Sequence, residues 1–330
     1  MDNKSVTIYF DGSQIECDPS KSILDNLLDQ GVKASFSCKK GSCLTCVLQT
    51  DSTVAAKAHE GLKPTMVEQG FFLACQAEPT EGMLVQSIDQ NKLFIGARVD
   101  KIIKLPGDVC QVFITPEADF SFKPGQFINI LGPNGNVRSY SIASLTSEGK
   151  TTLELHVKIH AFGLVSGWLG NALLANDKLQ FSGPYGDCFY LNGAPEQPLL
   201  LIGTGTGLSP LIGIIREALS QDHTGDIKLY HGALDEEGLY FTDKLIELTK
   251  AHSNLEVVFG VLNGTASETH KQGAINEIAL ANHKDLKGWR VYLSGDPKMV
   301  QTTKQRAFLA GANLSDIFSD PFETRTVKSD

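Results

Sequence analysis

Four cysteines in the first quarter of the chain, Cys38, Cys43, Cys46 and Cys75, constrain the fold more than any other feature. Their spacing, C-x4-C-x2-C followed by a distant fourth Cys, is the plant-type [2Fe-2S] pattern. Two irons bridged by sulfide need four thiolates converging from outside. A tight loop presents three of them, and the fourth must come from elsewhere in the fold. The loop reads Cys38-Lys39-Lys40-Gly41-Ser42-Cys43-Leu44-Thr45-Cys46. Gly41 permits backbone turns that a side chain would block, and the loop's amides and hydroxyls are available to the sulfurs. The rival readings are a structural zinc site and disulfides. Zinc favours paired CxxC-like knuckles, and only Cys43-x2-Cys46 fits one. Disulfides between ligands this closely spaced would be short and strained.

The remaining composition narrows the class. At 330 residues there is room for two or three domains. Hydrophobic content of 42% with 20% charged residues describes an ordinary soluble globular protein. No run approaches the roughly 18 apolar residues of a membrane span. The opening MDNKSVTIYFDG lacks the apolar core of a signal peptide and alternates like a strand. Seven cysteines is an odd count, with Cys17, Cys110 and Cys188 standing alone. That usage predicts buried free thiols in a reducing cytoplasm. Net charge is −9 and no basic stretch exceeds Lys39-Lys40, which argues against nucleic acid as a partner. Residues 1–89 hold twelve Asp/Glu against seven Lys and no Arg, a balance of −5. Such a segment suits electrostatic docking with another redox surface, or simply solubility.

Three blocks emerge along the chain. Residues 1–90 open with strands Ser5–Phe10 and Gln14–Cys17 joined at Asp11-Gly12, a hairpin signal. A helix follows, capped by Ser22 and ending at Gly31. The cysteine loop comes next, then a strand Val47–Thr50 and the segment Phe71–Ala77, which carries Cys75. Residues 92–193 alternate in short segments separated by Pro106-Gly107, Pro124-Gly125 and Pro133-Asn134-Gly135. They predict a small antiparallel barrel, interrupted by a helix over Leu164–Leu174. Residues 196–330 alternate apolar runs such as PLLLIG, LEVVFGVL and WRVYLSG with helical patterns, as a doubly wound parallel sheet requires.

Within the barrel block, Arg138-Ser139-Tyr140-Ser141 and Gly163-Leu164-Val165-Ser166 suit a flavin nucleotide. A guanidinium neutralises a phosphate, a tyrosine ring stacks on an isoalloxazine, and a serine hydroxyl bonds its N5. Gly163 lets a helix start approach a pyrophosphate. In the third block, Gly203-Thr204-Gly205-Thr206-Gly207 turns from an apolar strand into a helix, the setting a dinucleotide loop needs.

RSYS, GLVS, Gly183-Pro184-Tyr185-Gly186 and the Gly203–Pro210 loop follow the motif order of the ferredoxin–NADP reductase superfamily. With the cysteine block in front, the whole chain resembles the single-component reductases that feed bacterial oxygenases, of the benzoate dioxygenase and phenol hydroxylase type. The resemblance implies a multidomain α+β and α/β fold. Its parts are a β-grasp [2Fe-2S] ferredoxin domain, a six-stranded antiparallel FAD-binding β-barrel and a doubly wound α/β NAD(P)-binding domain. It implies that Arg138, Ser139, Tyr140 and Ser141 hold FAD, that His156-Val157-Lys158 lines the flavin site, and that Gly163, Val165 and Ser166 form the pyrophosphate turn. Gly203, Thr204, Gly205 and Thr206 are implied for the nicotinamide dinucleotide, and Phe322 for a terminal aromatic contact. Ser294-Gly295-Asp296-Pro297-x-Met299 resembles the family's Cys-Gly-Pro-Pro-x-Met segment beside the nicotinamide, with Ser294 replacing the Cys and Asp296 a Pro. A further departure is Leu44, where the family usually has Gly, Ser or Ala.

The implied activity is hydride transfer from NADH to FAD, single-electron transfer to the cluster, then delivery to a protein acceptor, an oxygenase component. Ser141 and Ser294 are the residues placed nearest the chemistry. Asp235-Glu236-Glu237 after the second strand of the third block would accept ribose hydroxyls and repel a 2′-phosphate, which favours NADH over NADPH. His156 and His231 read as structural or hydrogen-bonding histidines. Alternative readings are a reductase for deoxysugar dehydration and a slowly turning redox sensor.

Overall fold

The computed structural model describes residues 5–62, 64–88, 94–146 and 151–323. The expected break between the first two blocks, near 90–92, and the tail 324–330 lie outside the described residues. Hydrogen bonding sorts the strands into three sheets.

In the first sheet, β1 (Val6–Phe10) and β2 (Ser13–Cys17) form a hairpin. Asp11 and Gly12 both have positive φ, 48° and 81°, matching the twist of the flanking strands. α1 (Ile23–Asp29) starts at Ser22, whose hydroxyl accepts from the Asp25 N–H. β3 (Val47–Thr50), α2 (Pro64–Glu68), β4 (Phe71–Leu73) and β5 (Met83–Gln86) complete the unit. The strand order is β2-β1-β5-β3-β4, with β1 parallel to β5. α1 packs Ile23, Leu24 and Leu27 against Ile8, Phe72, Leu73 and Met83, which gives the β-grasp arrangement. The expected segment Phe71–Ala77 stops being a strand at Leu73. There the backbone bonds leave the ladder: Ala74 N–H donates to Cys46, while Ala74 and Ala77 carbonyls accept from Leu24 and Ile23. Cys75 therefore projects from a turn.

The second sheet holds β6 (Ile95–Leu105), β7 (Val109–Pro116), β8 (Phe127–Leu131), β9 (Val137–Ser141), β10 (Leu153–Lys158) and β11 (Lys178–Tyr185). All neighbours in the order β10-β7-β6-β11-β8-β9 are antiparallel. A bridge between Ile142 and Leu155 joins the two outer strands and closes the barrel around Val112, Ile128, Ile130, Leu155 and Phe181. The expected helix Leu164–Leu174 is shorter. α3 (Leu164–Gly167) is a single turn that widens into a π-helical turn over Trp168–Ala172. Lys104 Nζ bonds the Gly170 carbonyl and the Asn171 side chain, drawing the backbone out of an α-helical ladder.

The third sheet is parallel throughout, in the order β15-β14-β13-β12-β16-β17. Its elements are β12 (Leu199–Thr204), α4 (Leu208–Ser220), β13 (Ile227–Ala233), α5 (Thr242–Ala251), β14 (Leu255–Val261), β15 (Lys271–Gln272), α6 (Ile275–Asn282), β16 (Arg290–Gly295), α7 (Pro297–Leu309) and β17 (Ile317–Pro321). One core packs α4 and α5 on one face, around Leu201, Leu229 and Tyr292; another packs α6 and α7 on the other, around Ile202, Val291 and Leu293. This is the doubly wound layout, with its switch point between β12 and β16. β17 was not among the expected strands, because IFSDP is short and carries two polar residues. No helix among the described residues is long and apolar enough to cross a membrane.

Candidate functional site

The cysteine loop joins α1 to β3 and brings Cys38, Cys43 and Cys46 against Cys75 from the turn after β4. Backbone N–H groups of Lys40 and Cys43 point at Cys38 Sγ, at 3.3 and 3.4 Å, and the Cys38 N–H points at Cys43 Sγ at 3.4 Å. Gln76 Nε2 lies 3.4 Å from Cys75 Sγ. The thiols associate in pairs. Cys38 is lowered foremost by its hydrogen bond with Cys43, and Cys75 by its bond with Cys46; both donors are correspondingly raised. Two pairs of thiols, Cys38 with Cys43 and Cys46 with Cys75, each pair able to hold one iron, fit a two-iron cluster. Gly41 has φ 85°, where glycine is favoured, and a Cβ there would crowd the Gln76 side chain, 3.0 Å from its Cγ. Leu44 adopts φ 54°, a left-handed conformation unusual for a bulky residue, and packs against Gly61.

β9 carries Arg138, Ser139, Tyr140 and Ser141 along one edge of the barrel. Arg138 Nη1 donates to the Val137 carbonyl at 2.7 Å, and desolvation raises the Tyr140 phenol. Ser139 Oγ donates to Asn129 Oδ1 at 2.7 Å. Ser141 is buried and donates from Oγ to Asp320 Oδ2 at 2.7 Å. At the α3 turn, Ser166 Oγ accepts from the His160 N–H at 3.3 Å, and a Cβ on Gly163 would lie 2.2 Å from that oxygen. Val165 is packed into the barrel core behind it.

On β10 the side chains are otherwise engaged. His156 bonds Tyr240 Oη through Nδ1 at 3.0 Å and Glu154 Oε1 through Nε2 at 2.8 Å. Val157 lies in the barrel core, and Lys158 Nζ donates to the Gly107 carbonyl at 2.6 Å. Burial alone would raise Glu154, but the His156 hydrogen bond and the Arg216 charge hold it at about 2. Burial lowers His156 and brings His231, stacked edge-on against Tyr240, down to about 4.

At the switch point, Gly203 and Gly207 are needed for close packing. A Cβ on Gly207 would lie 2.5 Å from the Ser294 carbonyl oxygen, and one on Gly203 2.7 Å from Leu211. Gly205 and Thr206 sit in the turn between, with Gly205 at φ 53° and open space before it. That is the place where the loop's backbone is free to meet a phosphate. Gly295, at φ 110°, packs on Thr204, whose Oγ1 accepts from the Asp296 N–H at 2.9 Å. Asp296 caps α7 by accepting from the Met299 N–H at 2.8 Å, and Pro297 occupies the first helical position. The departure from Pro at 296 thus supplies a helix cap. Ser294 is fully buried, and its Oγ donates to the Asp320 carbonyl at 3.1 Å. Phe322 is half-buried and its N–H donates to the Gly295 carbonyl at 2.8 Å.

Asp320, marked in the sequence only as the first residue of the terminal segment Asp320-Pro321-Phe322, lies between the two serines. It joins both predicted serines, one through its carboxylate and one through its carbonyl. Burial raises its carboxyl to about 6, with Asp187 adding to the rise and the Ser141 bond opposing it. Its only sequence signal is a carboxylate directly before Pro321-Phe322. At the carboxyl ends of β13 and β14, Asp235, Glu236, Glu237, Asn263, Thr265 and His270 line an open cavity of about 520 Å³. That volume suits a nucleotide-sized ligand.

Comparison with known proteins agrees with this geometry. A 2Fe-2S iron-sulfur cluster binding domain matches residues 7–80, an oxidoreductase FAD-binding domain residues 103–190, and an oxidoreductase NAD-binding domain residues 201–305. The reductase subunit of an aromatic O-demethylase from Amycolatopsis is 31% identical, covering 88% of this chain and 90% of that protein. The phenol hydroxylase P5 protein of Acinetobacter pittii is 30% identical over 96% of this chain and 94% of its own length. The crystal structure of an Amycolatopsis cytochrome P450 reductase superposes with a TM-score of 0.68 at 27% identity, covering 96% of this chain and 98% of that one. The cofactors are therefore a [2Fe-2S] cluster, FAD and NAD(P)H. The chain belongs to the NAD(P)H-dependent oxidoreductases in which a plant-type ferredoxin domain is fused to a ferredoxin–NADP reductase-like module, working as the electron-transfer reductase of a multicomponent system.

Proposed function

We propose that this reductase takes its electrons from NADH and delivers them singly to a separate oxygenase component in the cytoplasm. The observation that carries the reading is convergence. The carbonyl of Cys43 is bonded to the barrel, and Ser141 of the same barrel is bonded to Asp320 at the edge of the nicotinamide sheet. The relatives named for phenol hydroxylase and aromatic O-demethylase supply the acceptor class. Boundaries near residues 90 and 194 divide the labour between the three units.

Bound FAD supplies the conversion of a two-electron hydride into single electrons. This chain's residues hold and orient it. Arg138, Ser139, Tyr140 and Ser141, with Gly163, Val165 and Ser166, would form the flavin site, closed by the backbone at His156, Val157 and Lys158. Gly203, Thr204, Gly205 and Thr206 would meet the dinucleotide, framed by Gly295, Asp296, Pro297, Met299 and Phe322. Ser141 keeps its hydroxyl proton directed at Asp320 Oδ2, so the serine oxygen is oriented before any substrate arrives. Ser294 acts one step back, fixing β17 and through it Asp320. Asp235, Glu236 and Glu237 select the ribose that carries free hydroxyls.

Replacing Cys46 by Ser tests the order of the path. NADH-driven reduction of small dyes persists, while reduction of a one-electron protein acceptor collapses; equal loss of both rejects the assignment. Steady-state kinetics test the nucleotide: kcat/KM for NADH exceeds that for NADPH, and a reversed ratio removes the role given to the three carboxylates.

A further inference from the structure

Asn129 occupies an unusual place on the barrel. Its neighbours on β8, Ile128 and Ile130, point into the barrel core, so by strand alternation Asn129 points outward. An outward position on a small barrel is normally wet. Asn129 is nevertheless only 2% exposed, because the cysteine loop lies over it. Its amide is used at both ends. Nδ2 donates to the carbonyl of Cys43 at 2.8 Å, and Oδ1 accepts from Ser139 Oγ at 2.7 Å. Asn129 and Ser139 are direct cross-strand partners on β8 and β9, which is why the hydroxyl reaches the amide. A second donor to the Cys43 carbonyl is Thr45 Oγ1, at a longer 3.4 Å. The two bonds thus run unbroken from a cluster ligand to a residue flanked by Arg138 and Tyr140.

We propose that Asn129 is a positioning residue that latches the cluster loop onto the flavin strand and so sets the rate of electron transfer between them. This rests on the reading that the cluster takes its electrons from the flavin. In each transfer the reduced flavin loses one electron and the oxidised cluster gains one; Asn129 exchanges nothing and fixes the distance. A side chain of similar volume without an amide would fill the same space and leave the Cys43 carbonyl short of its nearer donor. A buried acceptor deprived of its partner disfavours the docked state by about tenfold in population. A second tether, the pair Lys40 Nζ–Glu323 Oε1 at 2.6 Å, is more exposed and ties the same loop to the segment after β17. Once the latch is gone, docking depends on that ion pair and becomes sensitive to salt.

The test uses the full chain loaded with FAD and cluster, as Asn129→Leu and, should that variant fold poorly, as Asn129→Asp. The Asp variant keeps the acceptor for Ser139 and lacks the donor for Cys43. Stopped-flow mixing with NADH follows flavin and cluster absorbance separately, and hydrogen exchange follows the backbone amides of 38–46 in the oxidised protein. The expected result is flavin reduction at the wild-type rate and cluster reduction slowed about tenfold. Exchange over 38–46 quickens, and the cluster phase becomes salt-dependent where the wild type is not. Wild-type cluster kinetics with unchanged exchange overturn the latch. Equal slowing of both phases, or loss of FAD, also overturns it, because Asn129 would then act through the flavin site. Absence of any cluster reduction in the wild type marks failure of the electron path itself, a result distinguishable from either.

Discussion

The two seams of this molecule are built differently. Barrel and nicotinamide sheet meet through a buried, charged network. Arg216 on α4 bonds Glu154 Oε2 at 2.7 Å and the Ala143 carbonyl at 2.8 Å, while Ser209 reaches the Ser141 carbonyl at 2.8 Å. His156 and Tyr240 pair across the same seam, and α4 comes so close that a Cβ on Gly213 would lie 2.7 Å from the Ile142 carbonyl oxygen. The cluster loop instead holds to the barrel through the Asn129 amide and to the C-terminal segment through an ion pair whose lysine is 62% exposed. Hydride transfer needs two rings held in register, a demand that the buried, charge-paired first seam suits. The cluster loop is placed by a neutral amide bond and an exposed ion pair, so its distance from the flavin strand rests chiefly on Asn129.

Breaking the charged seam has the largest expected effect on stability. Arg216→Leu leaves the Glu154 carboxylate without its cation and lowers unfolding free energy by about 2 kcal/mol in urea titrations at neutral pH. Adding Glu154→Gln recovers part of that loss, since no unpaired charge then remains. The pH signature sharpens the assignment. Glu154 is depressed, to about 2, so its contribution is present above its unfolded value of about 4.3 and is lost as pH falls toward 2. Asp320 has the opposite sign. Its folded value is raised to about 6, so the native state holds the proton more tightly than the unfolded chain. Stability therefore falls as pH rises from about 4 to about 6, by a total on the order of 2 kcal/mol. Asp320→Asn removes that slope, and it removes an inflection near pH 6 from the rate of flavin reduction by NADH. An unchanged profile in the variant would reassign the inflection. The smallest effect belongs to the exposed tether: Lys40→Ala changes stability by less than about 1 kcal/mol, and added salt erases the difference.

Local chemistry was legible where a few adjacent residues decide it. The Asp11-Gly12 hairpin, the Ser22 cap and the strand Val47–Thr50 follow from turn dihedrals, capping and alternation within a short window. Elements broken by distant partners were not. The helix expected over Leu164–Leu174 yields to Lys104, which takes the carbonyl of Gly170, 66 residues later. Phe71–Ala77 gives up its ladder to α1 and Cys46. Within the site, Arg138, Tyr140 and the glycine loop announce themselves as motifs, whereas Asp320 and Asn129 do not. Each is a polar residue in a short strand that carries no motif, and each is bonded by a residue of another unit. His156 shows the reverse: its strand matched a flavin-lining segment, yet its imidazole is taken up by Tyr240 and Glu154.

The sequence by itself marked four candidate cluster cysteines, the order of the three units and the glycine turns open to a phosphate. Those depend on residue type at fixed spacing, and spacing is conserved along a chain however it folds. Only the tertiary structure decided which thiols pair, that one aspartate joins two serines from different sheets, and that one asparagine closes the gap between cluster loop and barrel. The aspartate and asparagine contacts join residues 26 to 179 positions apart. Desolvation and hydrogen-bond geometry, which set their chemistry, exist only once the three units have packed.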